Sequence, residues 1–572
     1  MKFSLLLMCS LIACIPKPKA DDSSTRSPEP ATPSAGDPTE HAHTGPSWTL
    51  DSTAKGAVLL GDLGTHVRAI TTTSSEAQAF FNQGLALGYG FNHDEAARSF
   101  ARAAQLDPKC AMCFWGVAYT LGPNYNMPML PERAAAAYEA MTRAQSAAKD
   151  ASPVEQAMIA ALARRFKGPE WIDAVAMQPY NVAYAETMRD VAKQFPGDDD
   201  VQAMFAESMM NINAWALWTL DGKPVPGTDE LVKALETVLA RSPNHPGANH
   251  FYIHAIEASK TPERGVPSAE RLGKLIPNAG HTVHMPAHIF QRVGRYEDAA
   301  LANRNAIVVD LHYIDTVKPP GYYPFYIGHN YGFLAYAGSM LGRKTESIEA
   351  AQQSADQIPK DVVCGMPGMD FFQAAPFFVM VRFGMWAEIL ASEAPPDKYA
   401  THKALWHHAR GMALAATGKV AEAKGEAAAI RAIVGTIPEA QLAGLNSGRK
   451  VLELAALVVD ARAAEAERAP AAIERWERAI ALEDQLAYAE PADWFYPIRH
   501  YLGAALLDAG KPKQAEAVFR ADLERNPVNG WALFGVWQSL AAQKRSADAK
   551  KAERAFRAAW TSADIELKRA AF

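Results

Sequence analysis

The stretch FNQGLALGYGFNHDEAARSFARAAQLDP, residues 81–108, decides how this 572-residue chain folds. It reads as two short helices joined by a turn at His93. Gly84 and Ala96 are small where the two helices must approach, and Phe100 and Ala103 point inward. Pro108 closes the pattern, because proline lacks the backbone donor that a further helical turn needs. The arrangement recurs along the chain. Gly294, Tyr296 and Ala299 repeat the turn in HMPAHIFQRVGRYEDAALANRNAIVVD, and Gly411, Leu414, Gly418 and Ala423 repeat it in ARGMALAATGKVAEA. YLGAALLDAGKPKQAEAVFRADLERNP supplies Gly503, Leu506, Gly510, Ala515, Phe519 and Pro527. Weaker copies lie around Gly342 and in YAETMRDVAKQFPGDDDVQAMFAESMM.

These motifs resemble the tetratricopeptide repeat (TPR), a pair of antiparallel helices repeating about every 34 residues. The resemblance covers most of residues 75–560 and implies an all-α, TPR-like helical-hairpin solenoid wound as a right-handed superhelix. Strand-like alternation is absent except for an ambiguous AVLLGDLGTHVRAI at residues 57–70. The expected organisation is a signal peptide at 1–14, a disordered linker at 15–50, an N-terminal extension at 51–74 and the solenoid at 75–572.

The ends and the composition bound the function. MKFSLLLMCSLIAC has an early lysine and an apolar run too short to span a membrane, as a secretory signal does. Its ending, LIAC, resembles a bacterial lipobox, which implies lipidation of Cys14 and an exported, membrane-anchored protein of the cell envelope, periplasmic or outer-membrane. A simple signal peptide cut further on is the alternative. The Pro- and Ser-rich stretch that follows, with His41 and His43, has little to bury and reads as a tether. A net charge of −6 and the lack of a basic stripe exclude nucleic acid as a partner.

The chemistry concentrates in HPGANHFYIHAIE and GHTVHMPAHIFQR, which place six of the chain's sixteen histidines within residues 245–288. If a repeat's closing proline is position 32, Pro243 puts His250 and His254 at positions 5 and 9 of the next repeat. Pro277 then puts His281, His284 and His288 at positions 2, 5 and 9 of the one after. Positions 5 and 9 share one helix face, and the TPR resemblance implies that this face lines the concave groove. Neighbouring helices about 8–10 Å apart let imidazoles from both converge on one ion at roughly 2.0–2.1 Å per bond. The expected metal ligands are His250, His254, His284 and His288, with His281 and His329 as further or alternative ligands. Nitrogen donors suit zinc or copper rather than calcium or magnesium. Glu257, Glu207 and His245 are candidate outer-sphere partners. His408 and His500 share position 5 in later repeats but lie too far along to join unless the superhelix curls back. Pro286 interrupts the first helix of its repeat, which predicts a late start near Met285 with His281 and His284 on the preceding loop.

Cys110 and Cys113 flank a helix start after Asp107-Pro108. With Cys364 they present either a disulfide, as expected in an oxidising compartment, or a soft-metal site aided by Met127 and Met129. The runs FNHDEAARSF, LDPKCAMCFWGVAYTLGPNYN and HPGANHFYIHAIEAS are similar to a family of large bacterial TPR proteins, often exported. That similarity makes His93 a second-tier site residue beside a capping or packing role. Two functions stay open: a metal-binding or metal-dependent enzyme, and a cell-envelope scaffold whose groove docks a protein or peptide. No nucleophile elbow, phosphate loop or zincin motif names a reaction.

Overall fold

The computed structural model describes residues 48–319, 323–358 and 368–572. Helices follow one another in antiparallel pairs, beginning with Ser75–Tyr89 and His93–Leu106 and ending with Gly530–Ala542 and Ser546–Ala559. The described strands are only Leu442–Ala443 and Asn446–Ser447, which pair antiparallel. The protein is a TPR-like helical-hairpin solenoid.

The small residues of the repeat motif have a direct steric cause. The Phe100 ring lies in a notch between Gly84 and Gly116, and a Cβ added at Gly84 would stand 2.8 Å from that ring. Phe519 fills the corresponding notch between Gly503 and Gly535 near the C-terminal end. In both hairpins one large ring packs three helices together, and any side chain at those glycines displaces it. Helix starts repeat a second device. Asp198, His245 and Asn529 cap the first helices of three repeats, their side chains accepting from the backbone N–H of Val201, Ala248 and Ala532.

The array curls so that distant repeats touch. The helix Pro246–Ile256 rests on Ser75–Tyr89, where Gly247 faces the Tyr89 ring. Tyr313 donates from its hydroxyl to Glu95 at 3.0 Å, and Trp531 Nε1 donates to the Ser339 carbonyl at 2.8 Å. Residues 57–70, ambiguous in sequence, are neither helix nor strand. They lace the edge of the solenoid instead: Leu60 N donates to Gln83, Gln83 donates back to the Val58 carbonyl, and Arg68 reaches Asp198 and Asp200. No described helix is long and apolar enough to cross a membrane.

Candidate metal centre

Four helical segments meet around the histidines. Pro246–Ile256 carries His250 and His254 one turn apart. Gly280–His284 and Pro286–Arg292 carry His281, His284 and His288, and Pro324–Leu341 carries His329. The loop expected before Met285 is instead a helical turn. Met285 keeps helical dihedrals (φ −51°, ψ −32°), so Pro286 stands at the first position of the next segment, where its missing N–H costs little. His281 and His284 therefore sit on helix.

The side chains form two trios, His250–His254–His281 and His284–His288–His329. In each, one ligand atom per residue lies within 4.8 Å of the others. Five of the six histidines are buried, none more than 4 % exposed, so the centre is enclosed at this point rather than spread on an open groove wall.

The ring nitrogens can be accounted for one by one. His250 donates from Nδ1 to the Tyr89 carbonyl, and its Nε2 has no partner among the described residues. His254 donates from Nδ1 to Glu257 Oε1 at 3.0 Å, again leaving Nε2 unpartnered. His288 Nδ1 meets Glu257 Oε2 at 2.6 Å and pairs with the Glu490 carboxylate. Asn303 donates its amide to the Ala299 carbonyl, which turns its oxygen toward His284 Nδ1 at 2.7 Å. Four rings thus commit Nδ1–H to an acceptor and direct Nε2 into the cluster, the tautomer that a metal-binding histidine takes when its second nitrogen is anchored. Both nitrogens of buried His281 lack hydrogen-bond partners among the described residues.

Burial sets the charge state. Desolvation, then neighbouring imidazoles, holds His250, His254, His281 and His284 well below the usual histidine range. The same causes bring His329 to about 3. His288 is the exception. Burial opposes its charge, but the Glu490 and Glu257 carboxylates outweigh that and hold it up at about 10. Glu490 is itself pushed up to about 7, chiefly by burial. Neutral imidazoles are the form that binds metal, and the Glu257–Glu490 pair supplies negative charge beside them.

The other candidates lie elsewhere. His245 accepts from Ala248 N through Nδ1 at 3.0 Å, so its proton is on Nε2, which donates to Asp200 at 3.2 Å. With both nitrogens used, it is a cap and not a partner of the metal cluster. Glu207 accepts from Asn211 at 2.7 Å, on the same helix, and does not reach the histidines. His93 meets the Thr120 carbonyl at 3.2 Å from the start of its helix and is held down to about 3 by burial, a packed residue. His408 pairs with Tyr496 and the Ala455 carbonyl, and His500 with Asp522 and Arg382. Cys110 and Cys113 are bonded to each other at the start of the helix Ala111–Leu121, which removes both thiolates as soft-metal ligands. Cys14 and Cys364 lie outside the described residues. Glu490, Asn303 and the Tyr89 carbonyl are the partners that sequence reading missed. Only the curl of the array brings the first and last of these near residues 246–292.

No family model matches the chain, and no curated protein matches it. Solved structures similar to it include a human IFIT1 dimer with PPP-AAAA, at 12% identity and TM-score 0.32, over 89% of this chain and 100% of that one. The Cut9 and Hcn1 hetero-tetramer of APC/C is similar at 10% identity and TM-score 0.30, over 84% and 90%. The P58(IPK) TPR domain follows at 12% identity and TM-score 0.22, over 82% and 99%.

Proposed function

We propose that this protein is a metal-binding solenoid whose six histidines hold transition metal, zinc or copper, with one ion per trio at full occupancy. The observation that carries the reading is the set of Nδ1 anchors on His250, His254, His284 and His288. Unpartnered imidazole nitrogen inside a core costs free energy, and a metal ion satisfies several such nitrogens at once. The enclosed position of these residues argues against a partner segment docking directly on them. Metal analysis of protein purified without a histidine tag tests the proposal. Stoichiometric metal, lost when His254 and His288 are both replaced by Ala, is expected. A parent protein that carries none and takes up none at micromolar levels overturns it.

The chemistry would be that of a Lewis acid or a redox ion in a water-poor site. The LIAC motif supports placement at an envelope membrane through Cys14. Replacing Cys14 with Ala should then release the protein from the membrane fraction, and an unchanged distribution would remove that part.

A further inference from the structure

A cavity of about 300 Å³ opens against both trios, touching His254 and His281 as well as His288 and His329. His288, His329 and Glu490 line it, and Trp215, Phe378 and Phe495 are among its walls. This volume is at the lower end of the range for small-molecule sites, roughly 300–1,000 Å³. Two features separate it from a packing defect. Its lining is mostly apolar, yet it includes four of the six histidines, His254, His281, His288 and His329, together with Glu490. The Glu490 carboxylate is buried, and beyond its ion pair with His288 and its contact with the Glu257 carboxyl it has no hydrogen-bond partner among the described residues. A ligand that covers the apolar walls and brings one polar group to the histidines and Glu490 satisfies both features.

We propose that this cavity binds the substrate of the metal centre, a small molecule with a single aromatic ring and one oxygen-donor headgroup. The ring would lie among Trp215, Phe378 and Phe495, and the headgroup would face His288, His329 and Glu490. Headgroup binding rests on the metal reading; ring binding does not. Gly332 offers a way to test the ring part alone. It lines the cavity from the helix of His329, and a Cβ there meets nothing closer than Ser354 Oγ at 3.5 Å. Gly332→Leu therefore has room at its Cβ to grow into the cavity, and metal analysis of the variant shows whether His329, one turn earlier on the same helix, still ligates.

Calorimetry on the full chain with benzohydroxamate and acetohydroxamate compares the same oxygen donor with and without a ring. The metal-loaded parent should bind benzohydroxamate at least about tenfold more tightly, the return on burying a ring. Gly332→Leu should erase that preference while leaving metal content and acetohydroxamate affinity unchanged. Equal affinities in the parent, or a preference that survives Gly332→Leu, overturn the proposal. If Gly332→Leu melts early, Ser354→Phe fills the same wall from the neighbouring helix. If the parent holds no metal, the metal reading has failed, and toluene then reads the cavity alone. Toluene binding that Gly332→Leu abolishes keeps the ring site, and its absence in the parent or its survival in the variant removes it.

Discussion

His284 and His288 bring their Nε2 atoms to 2.8 Å while both rings already hold a partner on Nδ1. Two neutral imidazoles in that state would set lone pair against lone pair. Without metal, a proton on His288 resolves the conflict, since Glu490 and Glu257 hold that ring charged against the cost of burial. An ion resolves it equally well. Tetrahedral ligation at roughly 2.0–2.1 Å places nitrogens about 3.4 Å apart, so the two rings need part by only a fraction of an ångström.

Glu257 joins the two trios, its Oε1 serving His254 and its Oε2 serving His288. A glutamine there keeps one acceptor and presents N–H to the other ring. One histidine must then abandon its tautomer or its orientation. Glu257→Gln should weaken metal binding about 10–100-fold, the usual effect of losing an outer-sphere carboxylate, with helical content retained. Chelator competition measures this, and parent-like affinity would remove Glu257 from its anchoring role.

Asp200 offers a pH prediction away from the centre. Its carboxylate accepts from Tyr89 at 2.6 Å, His66 at 2.8 Å, His245 at 3.2 Å and Arg68 at 3.1 Å. Burial opposes its ionisation, but the hydrogen bonds from His245 and His66 hold it well below the usual carboxylate range. A carboxyl lowered by folding stabilises the protein above its unfolded value of about 3.9, and the contribution is lost as pH falls through the folded value. Asp200→Asn should cost about 3 kcal/mol at neutral pH, with a lower melting midpoint whose gap from the parent narrows toward pH 3. A gap that is constant with pH would show that the charge contributes nothing.

The repeat frame was legible because Pro243 and Pro277 fix the register of two neighbouring hairpins, and register alone sets His254 and His288 on facing turns. Glu490 was not. It arrives from a loop some two hundred residues away, carried by the packing of the whole array, and no local spacing encodes that approach. His245 was misassigned for a different reason. Its place in the repeat matches Asp198 and Asn529, both capping residues, so comparing those starts would have marked it as a cap. A proline inside a helical pattern predicts a helix that starts at Pro286, whereas Gly280–His284 forms a helical turn of its own ahead of it.

That turn depends on Gly280. A Cβ at this position would overlap Asp310 Oδ1. Asp310 cannot withdraw, because it is buried and accepts from Tyr323 and Asn330, each at 2.7 Å. Gly280→Ala must therefore displace the segment that holds His281 and His284, one member of each trio. Overpacking of this kind costs about 1–3 kcal/mol, and metal content should fall along with the melting midpoint. The pairing with Asp310 separates the clash from any general effect on the helix. Adding Asp310→Ala to Gly280→Ala should restore part of the lost metal, a coupling that a double-mutant cycle measures. Losses that simply add would mean that Gly280 acts through something other than this contact.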